Sequence, residues 1–136
     1  MLASFISSRK FKNIIFVNYA PELDKFLFWC QQLIAESLGK ERKGFLPIVS
    51  TAPKDHHSLL QLYLDGPEDK LFYIFSSRDA SKEKVNFTKT LLKAYYLNKK
   101  KLSTIKNAQK NALILSLKKN KIPFREFKIK KVNEEV

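Results

Sequence analysis

The sequence contains one cysteine, Cys30, and only three glycines among its 136 residues. A single cysteine cannot form a disulfide within the chain, so a disulfide-stabilised fold is excluded and Cys30 is expected to be a small core residue. The few glycines form neither a Walker loop nor a dinucleotide-binding fingerprint. No apolar run approaches the roughly 20 residues of a membrane-spanning helix, and Met1–Ile6 is shorter than a signal-peptide core. We therefore expect a cytoplasmic location.

Acidic residues are also scarce: 13 Asp and Glu accompany 26 Lys and Arg, which gives a formal net charge of +13. From Lys99 to Lys131 there are twelve basic residues and one acid, Glu126, with Phe124 and Phe127 interleaved. Such a segment can bind nucleic acid by neutralising its phosphates. Lysine greatly outnumbers arginine here, however, and lysine is typical of solvated helix faces and protected edge strands. Nucleic-acid binding is therefore the less favoured interpretation.

Apolar residues make up 44% of the chain, which is enough for one hydrophobic core. Short β-rich runs alternate with amphipathic segments, and this alternation predicts an α/β fold with a mostly parallel sheet flanked by helices. We expect residues 1–136 to form a single α/β unit or a piece of one. The predicted elements are a strand over Asn13–Asn18, a helix over Glu22–Leu38, a strand over Phe45–Ser50, a helix over Asp55–Leu64, a strand over Leu71–Ser76, a polar loop, a helix over Leu102–Leu117 and a strand over Pro123–Lys130.

The first predicted helix has a row of apolar residues that is expected to face the core, and an outer stripe that points away from it. The expected core residues are Leu23, Phe26, Leu27, Cys30, Leu33, Ile34 and Leu38. The outer stripe consists of Lys25, Trp29, Gln32 and Glu36, and it is a plausible wall of a site. Gly39 follows the helix and is expected to adopt the left-handed conformation that ends many helices.

Glu36 is the candidate base on this outer stripe. It lies in the last helical turn, where the negative end of the helix dipole favours a neutral carboxyl, and burial against Trp29 would favour it further. A carboxyl tuned toward neutrality suits proton abstraction from a carbon next to a carbonyl group. On spacing alone, a solvated surface glutamate is the simpler interpretation.

His57 is the second candidate. Pro53 and Asp55 indicate a helix start, so His57 lies in the first turn, where the positive end of the dipole keeps an imidazole neutral. His56 projects with Leu59 and is expected to pack. Adjacent histidines diverge on a helix and no third ligand stands at a useful spacing, so no metal site is expected. On sequence alone, a structural role is also open for His57.

Two motifs resemble those of the phosphoglucose isomerases. A glutamine followed four residues later by a Glu-Ser-x-Gly-Lys run is present as Gln32, Glu36, Ser37, Gly39 and Lys40. An Asp-x-His-Ser-Leu-x-Gln helix start is present as Asp55, His57, Ser58, Leu59 and Gln61. The similarity is densest from Tyr19 to Gly66 and fades beyond Phe75 to a matching order of elements.

The resemblance implies a function as well as a fold. The chain would be a segment of the second sugar-isomerase domain, with a flavodoxin-type sheet, of an enzyme of glycolysis and gluconeogenesis that interconverts glucose 6-phosphate and fructose 6-phosphate through a cis-enediolate. Glu36 would shuttle the proton between C2 and C1, and Gln32 would contact the substrate. His57 would assist ring opening in the site of the partner subunit of a homodimer. The resemblance implies no cofactor and no metal.

Parts expected from the resemblance are absent from this sequence. It contains no Gly-Gly-Arg loop, no serine- and threonine-rich phosphate cradle and no terminal helix with a catalytic lysine. We therefore expect the chain to be a fragment; the alternative is a noncatalytic module that binds sugar phosphates. The aromatic residues Phe28, Trp29, Tyr63 and Phe72 are expected to leave apolar surface for a partner.

Overall fold

The computed structural model describes residues 11–77, 83–86 and 96–130. Its elements are strand β1 (Asn13–Asn18), a short 3-10 helix (Pro21–Leu23), helix α1 (Asp24–Leu38), strand β2 (Leu46–Thr51), helix α2 (Lys54–Asp65), strand β3 (Lys70–Ser77), helix α3 (Leu102–Lys119) and strand β4 (Phe124–Ile129). Every predicted helix and strand is present. Most of the predicted polar loop lies outside the described residues, as do Met1–Ile6 and the last residues of the chain.

The four strands form one parallel sheet in the order β2-β1-β3-β4. Ile15 at the middle of β1 lies opposite Ile48 of β2 and Phe72 of β3. A parallel sheet with helices on both faces buries both sides of its central strands, and five of the six residues of β1 are buried. The predicted α/β fold with a parallel sheet is confirmed.

Helices cover both faces of the sheet. One face packs against α2 and α3, and its core consists of Ile15, Val17, Tyr19, Ala52, Tyr63, Phe72, Ile74, Leu113 and Leu117. The other face packs against α1, and its core consists of Phe11, Ile14, Phe16, Ala20, Leu23, Leu27, Phe45 and Leu71. Helices α1 and α2 therefore lie on opposite sides of the sheet.

The connection from β1 to α1 is fixed by Asn18, which is almost fully buried. Its side-chain amide donates to the Ala20 carbonyl oxygen at 2.8 Å and to Asp24 Oδ1 at 2.7 Å, while its Oδ1 accepts from the Ala20 backbone N–H at 2.9 Å. These bonds hold the chain through the 3-10 turn, so α1 begins at Asp24, two residues later than predicted.

Two predictions about α1 were wrong. Phe26 is 48% exposed and Leu33 is 39% exposed, because the buried stripe is centred on Leu27 and each of these residues lies well to one side of it. Leu38, also predicted to face the core, is exposed at the last position of the helix. Gly39 has φ of −77° rather than a left-handed conformation. A side chain at Gly39 would nevertheless collide with the Ala35 carbonyl oxygen, so the position requires glycine for space. Cys30 is half-buried against the core, in line with its predicted role.

Among the helices that the structure describes, none has the length and apolar character to cross a membrane.

Candidate active site

Glu36 lies in the last turn of α1, exposed to solvent, and is paired with Gln32 one turn earlier. The Gln32 side-chain amide donates to Glu36 Oε1 at 3.0 Å. This contact orients one carboxylate oxygen, and it requires the four-residue spacing of the motif. Trp29 is itself 55% exposed and does not bury Glu36, so the simpler interpretation of Glu36 as a solvated glutamate describes its surroundings in this chain. The outer stripe is confirmed as a solvent-facing surface.

His57 is exposed near the start of α2, next to the carboxyl end of β2. The turn that presents it is held by Asp55, whose Oδ2 accepts from the backbone N–H of Thr51 at 2.8 Å. Because Thr51 is the last residue of β2, this bond ties the strand end to the first turn of the helix. His57 therefore projects from a fixed backbone at the edge of the sheet where sites of parallel α/β folds form.

His56 is half-buried and has the packing role that its position predicts. Its Nε2 lies 2.7 Å from the hydroxyl of Tyr19, and the two rings meet edge to face with centroids 5.6 Å apart. Burial lowers the pKa of His56, although the charge of Asp55 opposes the shift, and burial raises the pKa of Tyr19. A neutral imidazole and a protonated phenol therefore share this hydrogen bond. His56 anchors the helix start from which His57 projects.

One copy of the chain does not bring Glu36 and His57 together. Glu36 lies at the end of α1, on one face of the sheet, whereas His57 lies at the start of α2, on the other face. Glu36 is twelve residues beyond Asp24, the first residue of α1, so the helix carries it about 18 Å from the carboxyl edge where it begins. Within one copy, these two side chains therefore do not share a site.

The exposed surface of α1 also carries apolar side chains. Phe26, Trp29 and Leu33 follow one another at three- and four-residue spacing, all exposed, and the rings of Phe26 and Trp29 lie 6.0 Å apart. We call these three residues the apolar stripe of α1. Contiguous exposed apolar residues of this kind mark interaction surfaces.

Of the four aromatic residues predicted to leave apolar surface for a partner, two are exposed and two are buried, and contact with a partner stays a prediction. Phe28 and Trp29 are exposed, at 54% and 55%. Tyr63 and Phe72 instead belong to the core, where their rings meet edge to face at 5.2 Å. The difference arises because β3 is a central strand and Tyr63 is the buried residue of α2.

Sequence reasoning missed the role of Lys110, which it counted among the solvated lysines. Lys110 is buried in α3, and its ammonium lies 2.9 Å from Glu126 Oε1 and 3.4 Å from Ser76 Oγ. The sequence feature that could have indicated this buried ion pair was Glu126, the single acid in a long basic segment. Other lysines, such as Lys118 and Lys119, are exposed, in agreement with the predicted solvated face. No group of side chains among the described residues could hold a metal ion.

The fold and these positions define an open parallel α/β segment with a carboxylate and an imidazole at helix ends. No family model matches the chain. Over 136 residues it is 32% identical to the glucose-6-phosphate isomerase of Methanocaldococcus jannaschii, with coverage of 96% of this chain and 32% of that protein. It is 37% identical over 107 residues to the glucose-6-phosphate isomerase of Mycoplasmopsis synoviae, with coverage of 76% of this chain and 25% of that protein. A probable glucose-6-phosphate isomerase of Methanococcus maripaludis is 34% identical over 125 residues, 88% of this chain and 27% of that protein.

A solved structure has the same fold. The crystal structure of a hypothetical protein from Thermus thermophilus superposes with a TM-score of 0.81 and 25% identity, over 93% of this chain and 32% of that one. The chain spans a third or less of the length of these relatives. The matches confirm the resemblance to phosphoglucose isomerase: the chain is similar to a segment of enzymes that carry this name.

Proposed function

We propose that this chain is the proton-transfer segment of an intramolecular oxidoreductase that interconverts glucose 6-phosphate and fructose 6-phosphate in glycolysis and gluconeogenesis. The observation that carries the proposal is the bond from Gln32 to Glu36 Oε1, formed by residues at the positions of the isomerase motif. A carboxylate held at one oxygen and open to solvent at the other can meet a substrate carbon. The similarity to named isomerases over nearly the whole chain supports the same reaction.

Glu36 acts as the base on the open-chain sugar. Its carboxylate takes the proton from C2, the electrons of that bond form the C1–C2 double bond, and the carbonyl electron pair moves onto O1 to give the cis-enediolate. The proton of the O2 hydroxyl passes to O1, the C2 carbonyl forms, and Glu36 returns its proton to C1. Gln32 fixes the carboxylate and contacts the substrate, so that base and carbon stay aligned. The step neither consumes nor releases any group, and no cofactor takes part.

His57 opens the pyranose ring in the site of a partner subunit. A neutral imidazole takes the proton of the O1 hydroxyl while the ring oxygen is protonated, which is general acid–base chemistry suited to histidine. The arrangement as a homodimer is supported by the separation of His57 and Glu36 onto opposite faces of one sheet. It is also supported by the apolar stripe of α1, which offers a partner surface beside Glu36.

The proposal places the chain in the second of two sugar-isomerase domains of a cytoplasmic enzyme. The order β2-β1-β3-β4 is that of the first four strands of a flavodoxin-type sheet, which supports this assignment. The remaining contacts to the substrate, including those to its phosphate, would come from the parts of the relatives that this chain does not span.

The isolated 136-residue chain is expected to show little or no isomerase activity in a coupled assay in the fructose-to-glucose direction. It lacks the phosphate cradle and the terminal lysine that the resemblance requires. The same chain grafted in place of the matching third of the Methanocaldococcus jannaschii enzyme is expected to support turnover.

Two results would contradict this account. Turnover by the isolated chain that is abolished by Glu36→Gln would show that the missing parts are dispensable. A grafted enzyme that folds as a dimer yet does not turn over would favour the noncatalytic sugar-phosphate-binding module, for which the solvent exposure of Glu36 is the supporting observation.

A further inference from the structure

We propose that a cleft at the carboxyl ends of β3 and β4 binds a small anion through its phosphate group. The cleft is lined by Ser76, Ser77, Asn107, Lys110, Lys128, Ile129 and Lys130. Neither Glu36 nor His57 is among these residues, so the site is separate from the proposed isomerase chemistry. The carboxyl ends of parallel strands are the edge at which α/β folds bind ligands.

Lys110 is a buried cation in the lining of the cleft. Its side chain is only 8% exposed, yet it is among the lining residues. Its contacts to Glu126 Oε1 and Ser76 Oγ use two of the three N–H donors of an ammonium group. Among the residues that the structure describes, these are the polar partners of Lys110, so one donor is available to a ligand.

Glu126 holds the cleft lysines in place without cancelling their charge. One of its oxygens lies 2.9 Å from Lys110 Nζ and the other lies 3.3 Å from Lys128 Nζ. Burial raises the pKa of Glu126, but the hydrogen bonds and charges of Lys110 and Lys128 lower it more, so the carboxylate stays ionised. With Lys130, three ammonium groups line the cleft, against the carboxylate of Glu126 and that of Glu22, which is bonded to Ser77. The net positive charge favours an anion.

The polar groups of the cleft are mostly donors. Lys128 and Lys130 can turn their exposed ammonium groups toward a ligand, and Asn107 offers a side-chain amide. Ser77 is committed elsewhere, because its hydroxyl donates to Glu22 Oε1. Several cationic donors converging from a helix and a strand suit the oxygens of a phosphate group.

The distribution of lysines favours a small ligand over a nucleic acid. Lys118 and Lys119 lie in the last turn of α3, at the opposite end of that helix from Asn107. Lys118 and Lys119 are therefore separated from the cleft by most of the length of α3, so they do not extend the cleft lysines into one track along a phosphate backbone. The buried position of Lys110 also suits a single phosphate group that enters the cleft.

The test is a titration of the complete 136-residue chain with inorganic phosphate, followed by nuclear magnetic resonance at constant ionic strength. We expect saturable shifts of the cleft residues, and Lys128→Gln is expected to weaken binding about tenfold, as lost hydrogen bonds to charged groups do. Lys118→Gln removes the same charge from the far end of α3 and is the matched control, expected to leave the affinity within about twofold. Both side chains are exposed, so neither change endangers the fold.

A substitution that removes a negative charge should have the opposite effect on phosphate affinity. Glu22→Gln removes the carboxylate held by Ser77 at the rim and is expected to tighten phosphate binding. Glucose 6-phosphate in place of phosphate shows whether the sugar adds affinity, and glucose alone should not bind. Absence of saturable shifts would overturn the proposal. Equal weakening of phosphate binding by Lys118→Gln and Lys128→Gln would also overturn it. So would a short RNA whose affinity falls equally in the two variants, because either result indicates a diffuse basic surface.

Discussion

Replacing Glu36 by Gln in an enzyme made complete by grafting should lower kcat by about 10²- to 10⁴-fold, the usual contribution of a general base. Glutamine keeps the shape of the side chain and can still meet Gln32, but it cannot take the proton from C2. Because Glu36 is exposed and belongs to no core cluster, the melting temperature should change little. The measurement is steady-state kinetics in both directions together with thermal unfolding.

Glu41→Gln is the matched control for this prediction. Glu41 is an exposed glutamate shortly after α1, and its carboxylate forms a surface ion pair with Lys43 at 3.2 Å. Removing it changes the charge by the same amount and should leave kcat unchanged, because surface pairs contribute little. A loss of less than about tenfold in Glu36→Gln, or an equal loss in Glu41→Gln, would mean that Glu36 is not the base.

The second prediction separates the two adjacent histidines. In the grafted enzyme, His57→Ala should slow turnover of the cyclic sugar by about 10²-fold while the reaction of open-chain substrate is largely preserved. The reason is that Glu36 still transfers the proton once the ring is open. His57 is exposed, so its removal should not lower the melting temperature.

His56→Ala should act through stability instead. It removes the 2.7 Å hydrogen bond with Tyr19 and the edge-to-face ring contact, and it leaves a cavity beside the sheet. Losses of this kind cost about 1–3 kcal/mol. Tyr19→Phe removes the hydroxyl alone and should reproduce part of the loss. Equal catalytic defects in the two alanine variants, with unchanged melting temperatures, would show that the assignment of roles is wrong.

Periodicity predicted the elements well because the strands and helices here carry strong local signals. The Asn13–Asn18 run is almost continuously apolar, as a central parallel strand must be, and its predicted bounds match β1. Apolar periodicity was less informative for α1, because that helix has apolar residues on two faces. It cannot distinguish Leu27, which faces the sheet, from Phe26 and Leu33, which face solvent.

The relative position of Glu36 and His57 depends on the order of the strands in the sheet, which local sequence patterns do not predict. The chain passes from β1 to β2 in one direction and then back across β1 to β3. Right-handed crossovers in opposite directions place their helices on opposite faces, so α1 and α2 are separated by the sheet. The sequence indicated only that Glu36 lay far from the carboxyl edge, whereas the fold shows that it also lies on the other face.

The burial of Lys110 could not be predicted from the sequence for a different reason. Its position in a lysine-rich segment favoured a solvated side chain. A buried ammonium group is stable only if it has a partner. That partner, Glu126, comes from β4 and is 16 residues away in sequence. Such a pair becomes visible only once α3 and β4 are packed together.

Complementation between two inactive subunits tests most directly the central claim that the site is shared. Glu36→Gln and His57→Ala forms of the grafted enzyme would be purified, mixed in equal amounts, dissociated and reassociated. If each site takes Glu36 from one subunit and His57 from the other, each mixed dimer regains one intact site, and random pairing should restore about a quarter of the wild-type activity. Activity of the mixture no higher than the mean of the two inactive variants, with mixed dimers demonstrably present, would contradict the account.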